Sequence, residues 1–133
     1  MAIIATVAMN VKYDKKVNLE KYLEFIEKAA KAKADLILFP ELSLQGFPPS
    51  MLEVDPAHAL YQHREAELVP EGPTTQLLMQ KAKEHNMYIA WGMTERDHDK
   101  FDALYNSLVL VGPEGYLDTY RKIHNPMTER LYY

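Results

Sequence analysis

The sequence predicts an α/β fold in a single domain that spans residues 1–133. Short apolar runs of strand length alternate along the chain with longer segments whose apolar residues recur at helical spacing. An apolar share of 47% is typical of a globular core, and 26% charged residues argue against a disordered chain. The alternation therefore indicates a sheet with helices packed on it.

The amino-terminal segment has the pattern of a β-α-β unit. Ala2 to Met9 is a nearly continuous apolar run, which is typical of a strand buried on both faces. We expect Asn18 to cap the helix that follows. The apolar residues of that helix form one stripe: Leu19, Tyr22, Leu23, Ile26, Ala29 and Ala30. Leu36 to Phe39 is the second strand, so the two strands should be parallel with a right-handed crossover.

The middle of the chain predicts two further helices. Gly46 to Ser50 is a loop by composition. Asp55 and Pro56 are suited to the cap and the first position of a helix that continues to about Leu68. Gly72 and Pro73 open a second helix, which should end near Asn86.

The remaining elements are strands. Met87 to Met93 is apolar and predicts a third strand. Leu104 to Val111 and Tyr116 to Ile123 form a hairpin around the turn Gly112-Pro113-Glu114-Gly115. Pro113 supplies the fixed φ angle of the second turn position, and Gly115 is favoured at the fourth.

Charge and cysteine content exclude several functional classes. The formal net charge is −4, from 15 Lys and Arg against 19 Asp and Glu, so the chain has no general attraction for nucleic-acid phosphates. The chain has no cysteine, which excludes disulfides and thiolate metal sites within it. No apolar run approaches the ~20 residues of a membrane span, and Met1 to Asn10 lacks a charged leader. We therefore expect a cytoplasmic protein that binds neither nucleic acid nor membranes.

Glu41 is the first candidate site residue. It follows the apolar strand directly, after Pro40, which cannot donate a hydrogen bond to a neighbouring strand. Glu41 should therefore emerge at the carboxyl end of a parallel strand, where α/β sheets gather their active sites. A carboxylate that only marks the transition from strand to solvent explains its position equally well.

Lys122 is the second candidate, at the end of the predicted hairpin. A lysine at this place is most often a solvated charge on an edge strand. Arg121 precedes it and should point to the opposite face, so at most one of the two faces a site. Glu41 and Lys122 are far apart in the sequence, and spacing alone does not bring them together.

In the order of its motifs, the chain resembles the nitrilase, or carbon–nitrogen hydrolase, superfamily. The resemblance covers essentially the whole chain. It is carried by the opening strand and helix and by the following segments: Asp35 to Glu41, Tyr105-Asn106-Ser107, the Gly-Pro-Glu-Gly turn, and Tyr120-Arg121-Lys122-Ile123-His124. The resemblance implies the amino-terminal part of a four-layer α-β-β-α sandwich and a Glu-Lys-Cys triad.

The resemblance also assigns roles to individual residues. Glu41 matches the triad glutamate, Lys122 matches the triad lysine, and Glu129 matches a second glutamate that many members carry after the lysine. Glu41 is then the general base and Lys122 stabilises the tetrahedral intermediate. For Glu129, a surface carboxylate paired with Arg130 is the alternative.

The missing cysteine is the chain's departure from the family pattern. We expect the triad cysteine beyond Tyr133, so the 133 residues are an incomplete domain and should be inactive alone. The leading hypothesis is hydrolysis of a small linear amide or carbamoyl compound through a thioester. A nitrilase that acts on a small nitrile is the first alternative, and a non-catalytic scaffold or binding protein is the second.

The resemblance implies no cofactor and no metal. His58, His63 and Glu67 could share one helix, but surface polarity explains them better than a metal site. The expected partner is a small-molecule amide or nitrile substrate, and we expect a homo-oligomer.

Overall fold

The structure, a computed structural model, describes residues 1–47, 56–126 and 129–133. Within these residues, the strands form a five-stranded sheet in the order β1-β2-β3-β4-β5. The elements are β1 (Ile4–Thr6), α1 (Lys15–Lys31), β2 (Leu36–Leu38), α2 (Pro56–Glu65), α3 (Pro73–His85), β3 (Tyr88–Arg96), β4 (Leu104–Gly112) and β5 (Gly115–Arg121), followed by a 3-10 helix (Glu129–Leu131). Strand β2 is parallel to β1 and β3, and β3, β4 and β5 are antiparallel neighbours. The predicted α/β class is confirmed.

Helix α1 begins earlier than predicted. The cap is Asp14, whose carboxylate accepts a hydrogen bond from the backbone N–H of Val17 at 3.1 Å. The prediction that Asn18 is the cap was therefore wrong. Asn18 is fully buried inside α1, and its amide bonds the backbone of Lys12 and Leu44. It ties the preceding loop and the turn after β2 to the helix.

Strand β1 is shorter and more exposed than the apolar run of Ala2 to Met9 predicted. Ala5 and Val7 pack against the core, whereas Ile4 and Thr6 on the other face are exposed. The prediction of a strand buried on both faces was wrong for these residues, because α1 and α3 pack on the face of Ala5 and Val7 and leave Ile4 and Thr6 exposed.

The bounds of α3 were predicted more accurately than those of α2. Helix α3 has Gly72 before it and Pro73 in its first turn, and it ends next to Asn86, as predicted; Asn86 itself adopts a left-handed conformation. Helix α2 stops at Glu65 rather than near Leu68, and the predicted cap Asp55 lies outside the described residues. The next residues leave the helix because Glu67 forms an isolated bridge with Glu95 of β3.

The hairpin has the predicted turn. Strands β4 and β5 meet at Gly112 and Gly115, and the φ angle of Gly115 is 118°, a value that L-residues with side chains rarely adopt. Strand β3 extends to Arg96, three residues beyond the predicted Met93, because β4 pairs with it from Ile89 to Arg96. The pair forms the centre of the sheet.

The two faces of the sheet have different surroundings. Helices α1 and α3 cover one face, called here the helix face, and enclose a core that includes Tyr22, Ile37, Leu78, Ile89 and Trp91. The opposite face, called here the open face, carries partly exposed apolar side chains: Ile4, Leu38, Tyr88, Leu108 and Tyr120. In the part of the chain described, no helix has the length and apolar character to cross a membrane.

Candidate active site

Glu41 occupies a tight turn directly after β2. The backbone N–H of Phe39 still donates to Ala90 of β3 at 2.9 Å, and the ladder stops at Pro40. Leu42 adopts a left-handed conformation with φ 46°, which is uncommon for a residue with a branched side chain, and its side chain is fully buried. The turn thus anchors Leu42 in the interior and presents Glu41 at the carboxyl end of a parallel strand.

Gly92 of β3 allows this turn to lie against the sheet. A Cβ atom at Gly92 would lie 2.5 Å from the backbone nitrogen of Leu42 and 2.7 Å from the Cα atom of Glu41. Both distances are shorter than real Cβ contacts, and neither backbone atom can swing aside. A side chain here would therefore displace Glu41. Sequence reasoning did not identify Gly92, since nothing local marks a close approach of two distant backbones.

Lys122 directly follows β5 and lies at the same edge of the sheet as Glu41. Its backbone N–H donates to the carbonyl of Asn106 in β4 at 2.8 Å. Its ammonium nitrogen lies 2.7 Å from Oε1 of Glu41, and 3.1 and 2.9 Å from Oε1 and Oε2 of Glu129. The structure thus brings the three predicted site residues together around one cation.

Glu129 is buried rather than a surface carboxylate. It begins the 3-10 helix, is 4% exposed, and pairs with Lys122. Arg130 donates instead to the backbone carbonyl of Asn125 at 3.0 Å. The geometry therefore disagrees with the alternative in which Glu129 pairs with Arg130 at the surface.

Asn106 is part of the site, although sequence reasoning treated it only as a member of a motif. Its amide nitrogen lies 2.7 Å from Oε1 of Glu41 and 3.4 Å from Oε2 of Glu129. The residue is 4% exposed. The available signal was a strongly polar amide in an otherwise apolar strand, because a buried amide needs hydrogen-bond partners.

The contacts within this cluster keep the side chains of Glu41 and Lys122 charged. Burial raises the pKa of the Glu41 carboxyl, but the hydrogen bonds from Lys122 and Asn106 and the charge of Lys122 outweigh it and hold the pKa below its usual value. Burial likewise lowers the pKa of Lys122, and the hydrogen bonds and charges of Glu41 and Glu129 raise it above its usual value. Both groups are ionised at neutral pH.

A cavity of about 420 Å³ opens beside this cluster on the open face. Its polar lining includes Glu41, Asn106 and Lys122, and its apolar lining includes Leu38, Leu108 and Tyr120. A small molecule with one polar end fits this division, since ligand sites combine apolar walls with a few convergent polar groups.

Arg121 lies on the other side of β5, as predicted from strand alternation. It forms a bidentate pair with Glu95 of β3, with distances of 2.6 Å from Nη2 to Oε1 and 3.1 Å from Nε to Oε2. Glu95 is 2% exposed and also accepts a hydrogen bond from Ser107 at 2.5 Å. Tyr105 stacks against the guanidinium, 3.9 Å from ring centroid to Cζ. This second cluster locks the ends of β3, β4 and β5 together.

The other polar residues considered from the sequence do not join the site. His58 and His63 lie in α2, whereas Glu67 lies beyond it and bonds Lys15 and Thr74. Among the described residues, one group has metal-ligand geometry: Glu27, Glu84 and His85 on α1 and α3. The ammonium of Lys81 already pairs with both of those glutamates.

Comparison with known proteins identifies the family. The profile described as "Carbon-nitrogen hydrolase" matches residues 3–133. The chain belongs to this family. It is 35% identical over 116 residues to a nitrilase from Pyrococcus abyssi, covering 87% of this chain and 40% of that protein. It is also 31% identical over 125 residues to a cyanide hydratase from Stereum hirsutum, covering 91% of this chain and 33% of the relative.

Solved structures of carbon–nitrogen hydrolases have the same fold. An N-terminal amidase superposes with a TM-score of 0.77 at 24% identity, over 97% of this chain and 29% of the amidase. A branch 10 member of the nitrilase superfamily from Saccharomyces cerevisiae gives a TM-score of 0.71 at 26% identity, over 91% of this chain and 44% of that protein. The chain therefore spans less than half the length of these relatives.

Proposed function

We propose that these residues form the acid–base half of a site that hydrolyses a carbon–nitrogen bond in a small linear amide or carbamoyl compound. The observation that carries the proposal is the ammonium of Lys122, held between Glu41 and Glu129 at the carboxyl end of β2. The attacking thiolate has to come from outside residues 1–133, because these residues contain no cysteine. Membership of the carbon–nitrogen hydrolase family supports this reading.

Glu41 serves as the general base in the first half of the reaction. Its carboxylate takes the thiol proton, and the thiolate attacks the carbonyl carbon to form a tetrahedral intermediate with a negatively charged oxygen. Lys122 stabilises that oxygen through its positive charge. The intermediate collapses as Glu41 returns the proton to the departing nitrogen, which leaves as ammonia, and a thioester remains.

The second half of the reaction uses the same carboxylate. Glu41 takes a proton from water, the hydroxide attacks the thioester carbon, and a second tetrahedral intermediate forms. Its collapse releases the carboxylic acid, and the sulfur regains the proton from Glu41. In both halves Glu129 holds the Lys122 ammonium in place, since its two oxygens lie 3.1 and 2.9 Å from that nitrogen.

Hydrolysis or hydration of a small nitrile is the second candidate. The names of two relatives support it, a nitrilase and a cyanide hydratase, both above 30% identity over most of this chain. The same groups serve this chemistry, because a thiolate that attacks a nitrile carbon places negative charge on nitrogen, where Lys122 would stabilise it.

The test assays the polypeptide made from the natural reading frame for ammonia release from small amides, carbamoyl compounds and nitriles, and for amide formation from the nitriles, since hydration of a nitrile releases no ammonia. We expect activity that a thiol-alkylating reagent abolishes and that Glu41→Gln lowers by about 10²-fold or more. Glu71→Gln, which changes a carboxylate near α3 away from the site, is the matched control and should retain activity.

Two outcomes of this assay contradict the proposal. A natural polypeptide without cysteine that hydrolyses none of the compounds would favour the non-catalytic scaffold or binding protein. Residues 1–133 alone should release no ammonia, since a hydroxyl nucleophile would need its own base and Ser43 instead bonds Tyr22 and the carbonyl of Pro40. Ammonia release by those residues that Glu41→Ala removes would show that another nucleophile acts.

A further inference from the structure

We propose that Asn106 is a positioning residue of this site: its side-chain amide holds Glu41 by the single oxygen Oε1 and so leaves Oε2 as the oxygen that exchanges protons during hydrolysis. The inference rests on the proposed function, since it assigns the orientation of the general base in that reaction. It concerns a residue that acts through Glu41 rather than on the substrate.

The hydrogen bonds to Glu41 are unevenly divided between its two oxygens. The amide nitrogen of Asn106 and the ammonium of Lys122 both lie 2.7 Å from Oε1. Within the described residues, every hydrogen bond to this side chain ends on that oxygen. A carboxylate oxygen that already accepts two strong donors is a poor proton acceptor, so proton transfer is directed to Oε2.

The orientation of the Asn106 amide is determined by its surroundings. The nitrogen faces Oε1 of Glu41 and Oε2 of Glu129, both of which only accept hydrogen bonds when ionised. The opposite orientation would turn the amide oxygen toward two acceptors and repel both. Each N–H of the amide therefore has a carboxylate partner, which keeps the two like-charged side chains at a defined separation.

The backbone around Asn106 is suited to a positioning role. Asn106 pairs with Thr94 of β3, and its carbonyl accepts the N–H of Lys122 at 2.8 Å. Strand β4 lies between β3 and β5, so hydrogen bonds on both sides hold this backbone in place. One residue thus sets the positions of the proposed base through its side chain and of the proposed cation through its main chain.

A neutral donor has an advantage over a second cation here. Lys122 stabilises charge on the substrate in the proposed reaction, and its bond to Glu41 weakens as it does so. Asn106 has no charge to redirect, so it continues to hold Oε1 throughout the reaction. A second ammonium or guanidinium in its place would lower the basicity of Glu41 further.

The experiment measures the pKa of the Glu41 carboxyl by carbon-detected NMR titration of residues 1–133, in wild type and in Asn106→Leu. The charged groups that face Glu41 are Lys122 and Glu129, and both remain in this variant. Leucine has the branched shape of asparagine but donates no hydrogen bond. We expect the pKa of Glu41 to rise by about one unit, because a hydrogen bond to an ionised group is lost.

Ser107→Ala is the matched control on the same strand. It removes a buried hydrogen bond to a carboxylate, that of Glu95 on the helix face, and should leave the pKa of Glu41 within about 0.2 units of wild type. If Asn106→Leu does not fold, Asn106→Ser serves in its place, since its hydroxyl is too short to reach either carboxylate. Folding is checked by amide spectra.

An unchanged pKa of Glu41 in a folded Asn106 variant would overturn the proposal, as would an equal rise in Ser107→Ala. The titration needs no nucleophile, so it separates this proposal from the proposed function. If the pKa of Glu41 rises in Asn106→Leu but the natural polypeptide hydrolyses nothing, the positioning role is supported and the proposed hydrolase function is rejected. Hydrolysis whose kcat and pH profile are the same in Asn106→Leu as in wild type would sustain the enzyme and reject the positioning role.

Discussion

Arg121 and Lys122 are neighbours in the sequence, yet they take part in ionic clusters of opposite character. Arg121 points toward the helix face and forms an ion pair with Glu95. The carboxylate of Glu95 is almost fully buried and also accepts a hydrogen bond from Ser107. Lys122 faces the open face and is shared by two carboxylates beside a cavity, and the Glu41 side chain there is 49% exposed. The carboxylate of the first cluster is enclosed by its own donors, whereas the second has a proton-accepting carboxylate at the surface beside a cation.

The difference teaches that charge alone does not identify a site in this fold. Each cluster joins a basic residue at the end of β5 to a carboxylate, and each includes a residue of the Tyr105-Asn106-Ser107 segment. They differ in the exposure of the carboxylate that each contains: the Glu95 side chain is 3% exposed, whereas the Glu41 side chain is 49% exposed beside the cavity. Burial of its carboxylate makes the Arg121 cluster structural, and the exposed carboxylate of Glu41 makes the Lys122 cluster chemically available.

The largest expected effect concerns the open face itself. Burial of an apolar patch of roughly 400 Å² contributes about 10 kcal/mol before the entropic cost of association is subtracted. We therefore expect residues 1–133 on their own to sediment as a species larger than 15.4 kDa. Leu117→Lys places a charge in the apolar groove that Ile4, Leu36 and Tyr88 line and should shift the population toward monomer.

The matched control for that experiment is Leu60→Lys. Leu60 is an exposed leucine on α2, away from the sheet, so its replacement should leave the sedimentation profile unchanged. A stable wild-type monomer of 15.4 kDa would show that the open face does not drive association.

The next effect contrasts the two clusters directly. Arg121→Met leaves the buried carboxylate of Glu95 without its cation and should lower the free energy of unfolding by about 3 kcal/mol. Glu41→Gln removes one of two carboxylates from a half-exposed cluster and should change it by less than about 1 kcal/mol. Urea unfolding of both variants measures the difference. Equal losses would mean that the Lys122 cluster is as structural as the other.

Gly92→Ala should have an effect of intermediate size. The added methyl group would meet the backbone of Glu41 and Leu42, and overpacking of this kind costs about 1–3 kcal/mol. The turn should also move away from Lys122, so the pKa of Glu41 should rise toward its usual value. Urea unfolding and carboxyl titration measure the two effects. Gly115→Ala is the comparison, since it is strained only by its φ of 118° and has open space around it; it should leave the pKa of Glu41 unchanged.

The smallest expected effect is a dependence on pH. The pKa of Glu41 is lowered by folding, so its contribution to stability is present above the usual glutamate pKa of about 4.3 and is lost as the pH falls through the lower folded value. On the helix face, Asp97 lies 3.8 Å from Nη1 of Arg121, and hydrogen bonds from Tyr105 and from the backbone of Asp99 and Lys100 lower the pKa of Asp97 to about 2.

Thermal unfolding of wild type and Glu41→Gln measures this dependence. The difference between the two midpoints should be constant near neutral pH and shrink in acid below about pH 4. A difference that grows on acidification would contradict the sign of the pKa shift.

Much of the fold was predictable because its signals are local. The stripe of α1, the Gly72-Pro73 start of α3 and the turn at Gly112 to Gly115 each depend on neighbouring residues, and the structure has each of them. The errors arose where a distant contact competed with a local preference. Asn18 favours a cap by type, yet its amide bonds Lys12 and Leu44 from inside the helix. Helix α2 ends early where Glu67 bridges to β3.

The residues of the site also divide into those that local motifs predicted and those that depend on distant contacts. Glu41, Lys122 and Glu129 were predicted from motifs, and their catalytic roles stay a prediction. Asn106 and Gly92 were not predicted as members of the site, because their importance lies in what approaches them from elsewhere in the chain. Asn106 meets carboxylates from two other segments, and Gly92 meets the turn after β2.

The sequence by itself determined the α/β class, the family and the opposite directions of Arg121 and Lys122, because residue type, periodicity and strand alternation are properties of short segments. Only the tertiary structure decided that Lys122 meets Glu41 and Glu129, that Asn106 holds both carboxylates, and that α1 and α3 cover one face of the sheet. Those facts depend on the register of β3, β4 and β5 and on the approach of separate backbones. Register and approach are set by packing and hydrogen bonding over the whole sheet, which no local pattern encodes.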